Sequence, residues 1–190
     1  VIGFFDVKDY LSTSSSSGKV VPAFLGSYTK VHSEIITILK FQPETYNSTA
    51  GILLSASEDG LASIYDTSKS SEEASLLTIL NVGSSIKNAG FFGPNNYNAA
   101  NSTNHNPTGV WLLFGGQGER LSLWDYYSGQ CLWKFELFGG DMRRNDFLNN
   151  TGGNGISIDY YLECRWYSNG GDNNDGELVL FGGGFNGEIT

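Results

Sequence analysis

Apolar residues along this chain fall into short blocks punctuated by glycine, serine and asparagine, and the blocks recur in a fixed order. The clearest copy is Ile52-Leu53-Leu54-Ser55-Ala56-Ser57, then the turn Glu58-Asp59-Gly60, then Leu61-Ala62-Ser63-Ile64-Tyr65-Asp66. A second runs from Trp111 to Asp125, a third begins Leu178-Val179-Leu180-Phe181-Gly182, and the end of another spans Val1 to Asp6. Runs this short, bounded by residues that favour turns, predict β-strands paired as hairpins rather than helices. A further strand is predicted ahead of each hairpin: Ile36, Leu39 and Phe41 before Pro43, a spacing repeated by Tyr161, Cys164 and Trp166 and more loosely over 86–92. Outer strands are predicted over 74–80 and 130–136, which makes four strands per repeat and twelve in the chain.

Asp6, Asp66 and Asp125 lie 60 and 59 residues apart, whereas a four-stranded propeller repeat takes about 40–45. The surplus falls in Ser-, Asn- and Gly-rich tracts at 12–17, 47–49, 95–106, 145–154 and 169–174, which hold too little apolar surface to fold. Aromatic residues at 14% and charged residues at only 16% suit an all-β chain of many short strands.

The segments His32-Ser33-Glu34, 36–43, 53–60 and Ile64-Tyr65-Asp66 resemble a WD repeat, with Tyr65-Asp66 where the family has Trp-Asp; Trp124-Asp125 is the dipeptide itself. The resemblance implies a β-propeller of four-stranded antiparallel blades, of which this chain holds about three blades' worth. It divides the chain into the last two strands of a blade (1–31), a blade (32–81), a second blade (82–140), a low-complexity loop (141–155) and the first strands of a further blade (156–190). The family's hydrogen-bonded structural tetrad falls on His32, Ser55, Asp59 and Tyr65. The next repeat then places Phe114 and Gly118 at the Ser and Asp positions, and the last places Gly182 and Asn186 there, so these blades are expected to rely on packing alone. Kelch repeats offer an alternative propeller, on Gly115-Gly116, Tyr126 and Trp133.

His32, Ser55 and Asp59 are also the residue types of a hydrolytic triad, but no GxSxG elbow surrounds Ser55 and the repeat pattern accounts for all three. Gly115-Gly116-Gln117, a tripeptide found in release factors, reads as coincidence at a strand end. The glycine runs 115–116 and 182–184 precede no helix that would cradle a phosphate. No metal or other cofactor is expected: His32 and His105 are the only histidines, and Cys131 and Cys164 follow no ligand spacing. Both cysteines read as buried reduced thiols, which places the protein inside the cell, in cytoplasm or nucleus. On that reading the sequons at Asn47, Asn101 and Asn149 are chance products of Asn-rich tracts.

A formal charge of −9 disfavours nucleic acid and anionic membranes, and the pair Arg143-Arg144 reads as a solvated loop. No apolar run approaches the roughly 18 residues that span a bilayer. The function expected is therefore a non-enzymatic scaffold that binds a protein or peptide, favoured if basic. The candidate binding rim is Tyr28, Lys30, Glu34, Glu58, Gln117, Arg120, Phe185 and Asn186. A propeller enzyme would need several carboxylates converging on the central channel. Half-blades at either side would let two copies close one ring as a homodimer; the absence of an initiator methionine favours a fragment of a longer chain instead.

Overall fold

The structure is a computed structural model, and it describes residues 1–7, 22–42, 51–93, 109–115, 120–136, 160–168 and 176–183. Within these lie twelve strands: β1 (Ile2–Asp6), β2 (Ala23–Tyr28), β3 (Ile36–Phe41), β4 (Ile52–Ser57), β5 (Leu61–Asp66), β6 (Leu76–Asn81), β7 (Ile86–Phe92), β8 (Gly109–Phe114), β9 (Arg120–Asp125), β10 (Gln130–Glu136), β11 (Tyr160–Ser168) and β12 (Gly176–Gly183). One short helix, α1 (Glu72–Ser75), precedes β6, capped by the Ser71 hydroxyl, which accepts from the Ala74 amide. The strand expected over 74–80 therefore starts at Leu76, after this turn of helix.

The strands form four antiparallel sheets in chain order: β1-β2, then β3-β4-β5-β6, then β7-β8-β9-β10, then β11-β12. Together they have the form of a partial WD-type propeller. β7 packs on β3 and β4 on one side and on β11 on the other, which sets the first strands of three successive sheets side by side.

The middle strands of the two four-stranded sheets are buried on both faces because each of these sheets packs against a neighbour on either side. In β8, Val110, Leu112 and Phe114 point toward β3-β4-β5-β6 and join Leu54, Ala56, Ile64 and Leu80 in one core. The alternate residues Trp111 and Leu113 join Cys164, Leu178 and Leu180 of the last sheet. Leu53 and Tyr65 meet Ile2 and Phe4 across the first interface, where Tyr28 lies edge-on to Phe4 at 4.8 Å and tilted over Tyr65 at 4.6 Å.

The repeats match down to their irregularities. Each first strand carries a β-bulge at the same step, at Thr37, Lys87 and Leu162. Each last strand carries another, at Leu25, Leu77 and Leu132. An extra residue bends a strand and increases its twist. The Thr37 hydroxyl also donates across to the Ile86 carbonyl at 2.8 Å, which ties one first strand to the next.

Registers revise one alignment. Leu39 pairs with Ser55, Ala89 with Leu112 and Cys164 with Leu180, so Leu112 and Leu180 occupy the place of Ser55. Phe114 and Gly182, expected there, stand instead where the strong repeat has Ser57. The β8–β9 connection, 115–119, is two residues longer than 58–60, and an unbroken apolar run let the sequence comparison slide by two. Gly118 and Asn186 lie outside the described residues.

Gly60 closes the β4–β5 turn at φ +82°, and a Cβ there would sit 2.8 Å from the Ser84 amide nitrogen. Gly60→Ala is expected to lower stability by about 1–2 kcal/mol from backbone strain alone, read as a lower urea midpoint; an unchanged midpoint would contradict the strained turn. Among the described residues no helix is long and apolar enough to cross a membrane.

Candidate functional site

The segment between β2 and β3 folds over the β4–β5 turn, and one carboxylate holds the two together. Asp59 Oδ1 accepts the Leu61 amide at 2.9 Å, while Oδ2 accepts the Ser33 amide at 2.9 Å and lies 3.3 Å from His32 Nδ1. On the other side of the ring, His32 Nε2 is 2.7 Å from Ser55 Oγ. A carboxylate only accepts, so Nδ1 carries the proton and Nε2 accepts from the Ser55 hydroxyl. The Glu58 amide donates to the Ile35 carbonyl at 2.9 Å and completes the clasp.

This connectivity is that of a serine nucleophile, its base and its orienting acid. Access decides against the reaction in this arrangement: Ser55 is 0% exposed and the His32 and Asp59 side chains only 3% and 6%. No substrate carbonyl can reach a hydroxyl sealed between two sheets.

Tyr65 lies beside this network on β5, buried and packed at a tilt against Tyr28. Burial pushes its phenol above the ordinary value, opposed by the nearby hydroxyls of Ser63 and Ser55. In the next sheet Trp124 holds the Tyr65 position, and its Nε1 donates to Ser122 Oγ at 2.7 Å. The matching Ser63 Oγ lies near the Tyr65 phenol but forms no hydrogen bond of ordinary geometry.

Burial lowers the His32 pKa below 6.5, with Asp59 opposing. Burial also works against ionisation of Asp59, but the Leu61 and Ser33 amides and His32 outweigh it and hold its pKa below 3.8. Both groups bind protons less readily folded than unfolded, so both contribute stability at neutral pH that is lost on acidification. The first loss begins as pH falls through the ordinary imidazole value and ends below the depressed folded one; the second begins near the ordinary carboxyl value. Thermal midpoints should therefore fall from neutral toward acid pH, and the fall near pH 6.5 should be absent in His32→Gln. The same slope in both proteins would assign it to other groups.

Of the candidate rim residues, Glu34 and Glu58 are exposed beside the clasp. Lys30 is exposed and ion-paired with Glu73, while its amide and that of Thr29 donate to the Glu72 carboxylate, each at 2.8 Å. Arg120 opens β9 at the matching end of the next sheet, 3.3 Å from Glu136. Tyr28 is half-buried in aromatic packing rather than displayed. Gln117, Phe185 and Asn186 lie outside the described residues, as do His105, Arg143, Arg144 and the three sequon asparagines.

The cysteine expectation is half overturned. Cys164 is buried, its thiol pushed up to about 12 by burial, but Cys131 is exposed, because β10 is the outer strand of its sheet and leaves that side chain uncovered. Among the described residues no group of three or more His, Cys, Asp or Glu is arranged to hold a metal.

Sequence spacing overlooked a charged cluster where the first strands meet. Lys40 Nζ lies 3.4 Å from Glu163 Oε1 and 3.5 Å from Asn88 Oδ1, and Arg165 lies 3.5 Å from Glu163 Oε2. Lys40 and Arg165 hold equivalent places in their repeats, a signal present in the chain beside Leu39-Phe41 and Cys164-Trp166.

No protein-family model matches the chain. No solved structure matches it. It is 31% identical over 156 residues to the WD repeat-containing protein 89 homolog of Dictyostelium discoideum, the alignment covering 82% of this chain and 35% of that protein. The chain thus spans about a third of the length of this curated relative.

Proposed function

From the premise that its sheets and this likeness assign the chain to the WD-repeat family, we propose that it is a protein-binding scaffold whose contact surface is the end bearing the Asp59 clasp. A role in protein interaction is the general one for WD-repeat proteins, and they are generally not enzymes. The observation that carries the finer reading is that Lys30, Glu34, Glu58 and Arg120 are all exposed at that end, the first three on segments held by hydrogen bonds to the Asp59 and Glu72 carboxylates and Arg120 at the start of β9. A preorganised surface loses little entropy when it binds. The overall charge of −9 favours a basic partner through steering.

Affinity capture with the full-length protein tests this. The charge reversals Glu34→Lys and Glu58→Lys should reduce recovery of a basic partner and its sensitivity to salt. Undiminished capture would remove this end from the binding surface, and hydrolytic turnover without any captured protein would remove the scaffold reading. We place the protein inside the cell, on the two free cysteines; passage of a full-length fluorescent fusion through the secretory pathway would refute that.

A second reading rests on the two-stranded sheets. Among the described strands β1 pairs only with β2 and β12 only with β11. Such edges invite pairing, whether with further strands of a longer polypeptide or with a second copy. Light scattering on the 190-residue chain distinguishes them: a stable monomer would sink the dimer.

A further inference from the structure

At the end opposite the clasp, the described residues of the first strands are differently equipped. A cavity of about 490 Å³ lies where β3, β7 and β11 converge, a size in the range of sites that take small molecules or a few side chains. Its polar lining comes from Lys40, Glu163 and Arg165, and its apolar walls from Phe91, Trp111 and Trp166. Lys40 Nζ sits 5.2 Å from the centre of the Trp111 ring.

One carboxylate already occupies the gap between the two cations, so the geometry suits a carboxylate. The fit is loose: 3.4 and 3.5 Å, against roughly 2.7–2.9 Å for well-formed charge-assisted bonds. Lys40 and Glu163 are each about one-third exposed and Arg165 more so. Lysine offers three donors and arginine five, so two cations around one carboxylate leave donor capacity and a net positive charge within an acidic protein. The aromatic walls would cover an apolar group attached to the incoming acid.

We infer that this cavity binds an acidic peptide segment of a partner protein, seating a Glu or Asp side chain between Lys40 and Arg165 and an adjacent apolar side chain against Phe91 and Trp166. Glu163 acts as a tethered competitor that the incoming carboxylate partly displaces. This site is separate from the surface proposed above, lies at the other end of the sheets and calls for the opposite charge in its ligand.

The test is a fluorescence titration of the full-length protein with the peptide acetyl-Leu-Glu-Phe-amide, using acetyl-Leu-Gln-Phe-amide, benzoate and inorganic phosphate as comparisons. Saturable binding of the Glu peptide is expected, weakened about tenfold by Lys40→Met and by Arg165→Met, and strengthened severalfold by Glu163→Gln. The partly exposed Arg165 keeps the test valid should Lys40→Met fail to fold. Equal binding of the Gln peptide, binding unaffected by Arg165→Met, or binding of benzoate or phosphate but not of the Glu peptide would each overturn the inference. Weaker binding in Glu163→Gln would also overturn it, since it would show that the Glu163 ion pairs only build the wall. None of these outcomes depends on the charge reversals at Glu34 and Glu58.

Discussion

Trp111→Ala is expected to lower the unfolding free energy by about 3–5 kcal/mol, the range for deleting a large buried aromatic side chain. Trp111 is 1% exposed and heads the fully buried side chains by volume. It points from β8 toward the last sheet, and its ring lies against Gly90, where even a Cβ would come within 2.8 Å. Removing it leaves a hole between sheets that cannot close, because Leu113 and Phe92 beside it are fixed by their own strands. Urea denaturation followed by circular dichroism gives the measurement, with Trp111→Phe expected to recover part of the loss. A cost below about 1 kcal/mol would mean that the last sheet is not held through this contact.

Asp59→Ala should cost about 3 kcal/mol, because one carboxylate satisfies three donors and hydrogen bonds to charged groups are the stronger kind. The Leu61 and Ser33 amides and His32 Nδ1 would all be stranded. Asp59→Asn keeps one acceptor oxygen and should fall between wild type and alanine in the same denaturation series. Equal midpoints for all three proteins would reduce the clasp to ornament. The neighbouring repeat shows another solution at the same place: Val82 stands four residues before its first strand, as His32 does, and Leu112 replaces Ser55. Both belong to one apolar core. Replacing both partners of a buried polar pair by apolar groups can be nearly neutral, while losing one partner is not.

Strand existence and order were legible from the sequence because each strand is a short apolar run between turn-forming residues, as in 52–66. The strong repeat was readable because its turn, 58–60, has the length that the family pattern requires. The neighbouring repeat misaligned by two, since Val110 to Phe114 is apolar at every position and gives no alternation by which to set a register. Short-range pattern likewise took 74–75 as strand, where the Ser71 cap and Glu72, anchored by the Thr29 and Lys30 amides, start a helical turn. Exposure of Cys131 depended on which strand ends its sheet, a fact of tertiary order. The Lys40–Glu163 cluster joins residues 123 positions apart, so no local spacing could reveal it.

The bulges at Leu25, Leu77 and Leu132 bear on how these repeats tolerate changes in length. Tyr65 pairs with Leu76 and Ile64 with Thr78, so Leu77 has no residue opposite it. Losing that one residue would straighten the strand and leave its other pairs with their partners. Losing a residue elsewhere in β6 would turn the side chains beyond it to the opposite face and draw Leu80 out of the core. Each described outer strand thus carries a spare position of its own, where a chain whose connections vary so much in length can lose a residue and keep the packing of the rest.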